Sequence, residues 1–331
     1  MDNFIKNYQE QTLQNINLVS CIQNDMKPLF GTLKNICTIL DELDDKIEKL
    51  SMIQTKDYFS TLDKFYTNLN IVDICIKLIS DKYNWNDFDL IIEPSAGNGN
   101  FLLKIPSDKK IGIDIEPEHN DIIKHDFLKY TPPNVQNILS IGNPPFGRVS
   151  SLAIKFFNHA AKWSNVIAFI IPKTFRKLSV HNKLNLNFHL ILDKSIPDKP
   201  CSFTPKMGVK CCFQIWERKN ILRTSVILPV SHKDWMFLKL GPNDKNNQPT
   251  PPDGADFAIL AYGGKCGKIK TKNLHKLRPK SWHWIKSNID KKILVDIFSK
   301  LNFSESENTA RQNSMGKAEL IQLYINYCNS I

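Results

Sequence analysis

The stretch ILSIGNPPFGRVSSLAIKFF, residues 138–157, sets a side-chain amide and an aromatic ring on an unusually stiff turn. Ile138 to Ile141 form a short apolar run suited to a buried strand, and a helical pattern follows Gly147. Between them, Gly142-Asn143-Pro144-Pro145-Phe146-Gly147 places two prolines and two glycines in six positions, which fixes the backbone closely. Upstream, an apolar strand at 89–92 runs into Glu93-Pro94-Ser95-Ala96-Gly97-Asn98-Gly99-Asn100. Gly97 and Gly99 permit a tight loop and close approach of a ligand to the backbone, beside the start of a helix. A second strand, Ile111–Ile113, ends in Asp114, 17 residues beyond Gly97. A carboxylate there can accept hydrogen bonds from both hydroxyls of a ribose. Asp126 and Phe127, in IIKHDFLKY, suit the amino group and ring of an adenine. Each acid alone reads equally as a helix cap or a surface residue. In this order, at successive strand ends, they point to a nucleoside.

Three regions position these residues. Residues 56–218 alternate short apolar runs with helical patterns, and six runs read as strands: DLIIEP, KKIGIDIEP, NILSIGNPPF, VIAFIIPKTF, FHLILDKSI and VKCCFQIWERK. That alternation predicts a largely parallel sheet covered by helices on both faces, with ligands beyond the carboxyl ends of the strands. Residues 1–55 have apolar side chains at alternating steps of three and four, from Val19 to Leu50, interrupted at Pro28 and Gly31. This predicts a helical N-terminal arm, either a seam for a homodimer or partner protein or a hairpin folded onto its own domain. Residues 219–331 form a third region, with a proline-rich loop at 242–254.

EPSAGNGNF, GIDIEP, HDFL and GNPPF, in this order, resemble the class I S-adenosylmethionine-dependent methyltransferases acting on adenine N6, with the motif order of the gamma group of DNA adenine methyltransferases. The segment DKFYTNLNIVDICIKLI resembles the phenylalanine-tyrosine-threonine segment that precedes the first strand in that family, except that Asn68 stands where the family often has proline. The resemblance covers about 56–218 and implies a Rossmann-like sheet, S-adenosyl-L-methionine as cofactor and no metal. It implies that Tyr66 and Thr67 line the methionine end, that Glu93, Ser95, Gly97 and Gly99 form the loop beneath it, and that Asp114 holds the ribose. Ile115, Asp126 and Phe127 then complete the adenine pocket. It further implies that the Asn143 oxygen and the Pro144 carbonyl accept hydrogen bonds from both protons of a flipped-out adenine amine. Pro145 stiffens the turn, and Phe146 stacks on the base. The amine is a poor nucleophile because its lone pair is delocalised into the ring, and two acceptors concentrate that lone pair on nitrogen.

The charge balance points the same way. The chain carries a formal net charge of +11 in 331 residues, and within 262–292 ten Lys/Arg face a single acid, Asp290. Lys265, Lys268, Lys270 and Lys272, with Tyr262, Trp282 and Trp284 interleaved, read as a small basic α+β module for phosphate contact and base stacking. Lys173, Arg176 and Lys177, just beyond the fourth strand, are further phosphate-contact candidates. DNA is the first substrate expected. The alternatives are RNA, a protein glutamine amide, or a non-catalytic binding subunit with the same fold. No apolar run approaches the ~20 residues of a membrane span, and the eight cysteines form no C-x-x-C pair or zinc spacing. These features predict reduced thiols in an intracellular protein of cytoplasm or nucleus, cellular or virus-encoded.

Overall fold

Seven strands pair into one sheet whose central members are buried on both faces, while the edge strands are partly exposed. In the computed structural model, which describes residues 64–197 and 200–330, the elements in chain order are β1 (Tyr66–Thr67), α1 (Leu69–Ser80), β2 (Leu90–Pro94), α2 (Asn100–Lys104), β3 (Lys110–Asp114) and β4 (Ile122–Lys124). There follow β5 (Ile138–Gly142), α3 (Ser151–Ala160), β6 (Val166–Pro172), α4 (Leu178–His181), β7 (Phe188–Ser195), β8 (Phe203–Thr204) and β9 (Cys211–Arg218). The sheet order is β4-β3-β2-β5-β6-β9-β7. Neighbours from β4 to β6 pair parallel, whereas β9 runs antiparallel to both β6 and β7. The Rossmann-like sheet with helices on both faces is therefore borne out. The helical arm expected over 1–55 lies outside the described residues.

The period-2 alternation of strands sorts the core into two layers. Ala168 and Ile170 of β6 pack with Ile71, Val72, Cys75 and Ile79 of α1 on one face. Ile167, Phe169 and Ile171 pack with Phe156 and Phe157 of α3 on the other. All seven residues of β6 are buried. At ~1.5–3 kcal/mol for each large side chain removed from water, this central strand is a principal anchor of the fold.

The remaining chain builds a second sheet, β10 (Trp235–Phe237), β11 (Phe257–Leu260), β12 (Ile269–Lys270) and β13 (Trp282–Ser287), in the order β10-β13-β11-β12. Helices α5 (Lys291–Lys300) and α6 (Lys317–Cys328) cover it. Trp235, Phe257, Phe298 and Tyr324 lie at the centre of its core. β11 and β12 form a hairpin that turns through Gly263 to Gly267, with Ile259 opposite Ile269. Gly267 is required there: its φ is +94°, and a Cβ would fall 2.4 Å from the Phe303 ring. Among the described residues, no helix is long and apolar enough to cross a membrane.

Candidate active site

The chain leaves β2 through a run of left-handed residues, Ser95, Gly97 and Gly99. Asp114, at the end of neighbouring β3, holds this loop in place. One of its oxygens accepts from the Gly97 N–H at 2.8 Å and the other from the Glu116 N–H at 2.8 Å. Gly97 has φ +51°, and a side chain there would meet the Tyr66 ring at 3.1 Å. The Tyr66 hydroxyl in turn donates to the Glu118 carboxylate, and Lys64 pairs with Glu116 at 3.0 Å and with Glu118 at 3.3 Å. Tyr66, Gly97, Gly99 and Asp114 thus come together around one loop. Ile115 follows them, 51% exposed.

Asp126 caps a short turn by accepting from the Leu128 N–H at 3.0 Å. Phe127, expected beside an adenine, packs into the core: its ring stacks on Phe156 at 5.2 Å and meets the rings of His159 and Trp163 edgewise. Burial to 2% exposure makes it a core residue. The acid keeps its place at the strand end, while the ring beside it turns inward.

At the end of β5, the adjacent central strand, the side chain of half-buried Asn143 donates from Nδ2 to the carbonyl of Phe65 at 3.1 Å. That bond sets the amide's orientation and leaves Oδ1 buried with no hydrogen-bond partner. Thr67 Oγ1 and Glu93 Oε2 are likewise buried and unpartnered. Three such atoms on β1, β2 and the turn after β5 are unusual, since buried polar groups are nearly always bonded. A Cβ on Gly142 would lie 3.1 Å from Glu93 Cγ, so the acid runs beside the start of the turn. Phe146 packs against both core layers, and its carbonyl accepts from Leu152 N and Ala153 N at 3.1 and 3.2 Å. The turn is thereby tied to the first residues of α3.

Burial pushes the Glu93 carboxyl well above its ordinary 4.5. The Leu102 backbone N–H opposes that rise, and the Asp114 charge adds to it. A raised folded-state value means the native protein keeps a proton that the unfolded chain has lost. Stability is fully present below about 4.5 and falls as pH rises toward the folded value. Glu93→Gln is therefore expected to melt above the parent near neutral pH and level with it at about pH 4. Thermal unfolding followed by circular dichroism across that range checks this.

Two of the three cations after β6 have charge partners within the fold. Arg176 is held by the Asp193 carboxylate and by Ser195 Oγ at 2.9 Å. Lys177 pairs with Glu319 of α6 at 2.9 Å and donates to the Ser314 carbonyl at 3.3 Å. Both have found protein partners: Arg176 fastens β7, and Lys177 fastens the second sheet's helix to the first. Lys177→Ala is expected to destabilise the fold by about 1–3 kcal/mol, because Glu319 loses a half-buried charge partner. Denaturant midpoints measure it, with nucleic-acid affinity unchanged. Lys173 is half-buried, with its backbone N–H bonded to Lys210. Lys265, Lys268, Lys270 and Lys272 are exposed on and around β12, Trp282 is half-buried on β13, and Trp284 is a core residue.

Sequence reasoning missed what holds the Tyr66–Thr67 segment. β1 pairs antiparallel with β8. Asn68 clamps the pair: its N–H donates to Ser202 O at 3.0 Å, its Nδ2 to Cys201 O at 2.7 Å, and its Oδ1 accepts from Thr204 Oγ1 at 2.8 Å. Proline at 68 offers no N–H and no side-chain amide for these bonds, so the departure from the family pattern was the available signal.

No family model matches the chain, and no curated protein does. Among solved structures, a provisionally assigned RNA methyltransferase of Pyrococcus horikoshii is similar at 14% identity over 47% of this chain and 87% of its own, with a TM-score of 0.36. A magnesium protoporphyrin IX methyltransferase of Synechocystis with bound S-adenosylmethionine is similar at 11% identity over 46% of this chain and 79% of its own, with a TM-score of 0.35.

Proposed function

We propose that this chain transfers a methyl group from S-adenosylmethionine to the N6 amine of adenine in DNA. The observation that carries the reading is the Asn143 amide: its donor end is committed to Phe65 O at 3.1 Å, and its acceptor end is buried and unpartnered. With one N–H held by Phe65 O, the amide keeps its oxygen, Oδ1, as the free acceptor. Pro144, next in the chain, presents a carbonyl with no N–H beside it. Two acceptors on one stiff turn match the two protons of a primary aromatic amine.

The residues around the Gly97 loop fit the cofactor. Thr67 Oγ1 and Glu93 Oε2 are orphaned polar atoms toward its methionine end, and Tyr66 lies over the loop. Each Asp114 oxygen accepts one backbone N–H. A carboxylate has about four acceptor sites, so two remain for ribose hydroxyls. When bound, S-adenosylmethionine supplies an electrophilic methyl on a sulfonium. This chain's own residues do the rest. Asn143 and Pro144 hold the amine and draw its lone pair out of conjugation, Phe146 stacks on the base, and Phe65 keeps the amide from turning over. Positioning of this kind is worth up to ~7–11 kcal/mol in well-aligned systems. The exposed lysines of β12 supply phosphate contacts for the nucleic acid.

Incubation with methyl-labelled S-adenosylmethionine and separate DNA, RNA and protein pools, followed by digestion of the products, tests the reading. N6-methyladenine from DNA is the expected product. Label in RNA adenine or in a protein glutamine reassigns the substrate. Absence of S-adenosylmethionine affinity overturns the proposal.

A further inference from the structure

We propose that the second sheet carries a nucleotide subsite of its own, which holds one phosphodiester-linked nucleotide of an unpaired strand away from the Asn143 turn. It rests on the nucleic-acid reading above and adds where and in what form the strand is held.

The outermost strand, β12, leads into a short turn at Leu274–Lys276. Between them lies a hollow of about 420 Å³, within the ~300–1,000 Å³ of small-ligand sites. Lys270, Lys272 and Lys276 line it, and all three are exposed. Nearby ion pairs join Lys286 to Asp256 and Lys300 to Asp296; among the described residues none reaches the three lysines. This differs from Arg176 and Lys177, whose charges are matched within the fold. Three ammonium groups around one concavity repel each other, and phosphate relieves that repulsion.

The rest of the lining extends the match from phosphate to nucleotide. Thr271 and Asn273 contribute hydroxyl and amide groups, while half-buried Ile269 and Leu277 give an apolar wall for a sugar or a base edge. β12 is also an edge strand, and such edges offer backbone N–H groups to an incoming chain. Tyr262, 51% exposed in the β11–β12 connection, offers a stacking surface. A duplex presents its phosphates on a convex cylinder with the bases turned inward. A hollow with cations and an apolar wall instead takes a nucleotide whose base is unpaired.

The test is fluorescence anisotropy of the full chain with a labelled single-stranded oligonucleotide and with its duplex, over a range of salt. The variant Lys270→Glu/Lys272→Glu/Lys276→Glu is compared with a charge-matched control, Lys82→Glu/Lys162→Glu/Lys245→Glu. Loss of three phosphate contacts is expected to flatten the single-strand salt dependence by about 2 in slope. Affinity is expected to fall by about 10- to 100-fold, with a smaller fall on duplex and S-adenosylmethionine affinity unchanged. A variant that binds like its control, or that loses duplex and single strand equally, overturns the subsite. On the unmodified chain, lysine acetylation read by mass spectrometry should show the oligonucleotide protecting Lys270, Lys272 and Lys276 but not Lys82, Lys162 or Lys245; no protection also overturns it. A parent chain that binds S-adenosylmethionine but no oligonucleotide overturns the nucleic-acid reading itself, which is a separate result.

Discussion

Asn143→Ala is expected to slow methyl transfer by about 10²–10³-fold, the scale seen when one preorganised hydrogen-bonding group is removed from a reacting centre. S-adenosylmethionine affinity should stay within about twofold, because the Gly97 loop and Asp114 are held by bonds that do not involve Asn143. Asn143→Asp separates two explanations. It keeps an acceptor facing the pocket but replaces the N–H that bonds to Phe65 O at 3.1 Å with a second oxygen. Two acceptors then face each other, so the amide-sized side chain loses its fixed orientation. If orientation matters, the aspartate variant falls well below the parent despite its extra charge. Single-turnover rates with saturating S-adenosylmethionine read both effects. An alanine variant at the parental rate removes the acceptor role.

Phe298→Ala is expected to lower stability by about 3–5 kcal/mol, the usual range for truncating a buried aromatic. Phe298 is 1% exposed and lies within 5.2–5.8 Å, ring centre to ring centre, of Trp235, Phe257 and Tyr324. Those three rings come from β10, β11 and α6, so one truncation opens a void shared by two strands of the second sheet and a helix that covers it. The helix bearing Phe298, α5, packs against β12. The basic face should therefore loosen first, with nucleic-acid affinity falling at a lower denaturant concentration than S-adenosylmethionine affinity. Urea titrations followed with each ligand in turn check the order.

The sheet was largely legible because buried strands announce themselves. VIAFIIP has no charged residue, and all of β6 is buried. The glycine loop and the acid at the next strand end were legible as features, but the 2.8 Å bond from the Gly97 N–H to Asp114 was not, since the sequence reading gave that carboxylate to a ribose. What the sequence hides is partnership at long range. Arg176 and Lys177 look like free cations until Asp193 and Glu319, the latter 142 residues from Lys177, are placed beside them. The stacking of Phe127 on Phe156 is equally hidden, because the two rings are 29 residues apart in the chain. The insertion of antiparallel β9 between β6 and β7 leaves no trace in periodicity, because strands buried on both faces read alike in either direction. The Phe65 carbonyl that steers Asn143 is backbone, and backbone carbonyls carry no residue signature.

That carbonyl sits immediately before β1, a strand of only two residues. A ladder this short relies on the Asn68 bonds in and beside β8 to stay seated. With β1 lifted, the Asn143 amide loses its bond to the Phe65 carbonyl and is free to rotate by half a turn; on the proposed reading its NH₂ would then face the amine, donor against donor. The polarity that the Asn143 turn presents is thus set by the peptide segment lying across it, and on the proposed reading a seated segment would admit the base that an unseated one turns away.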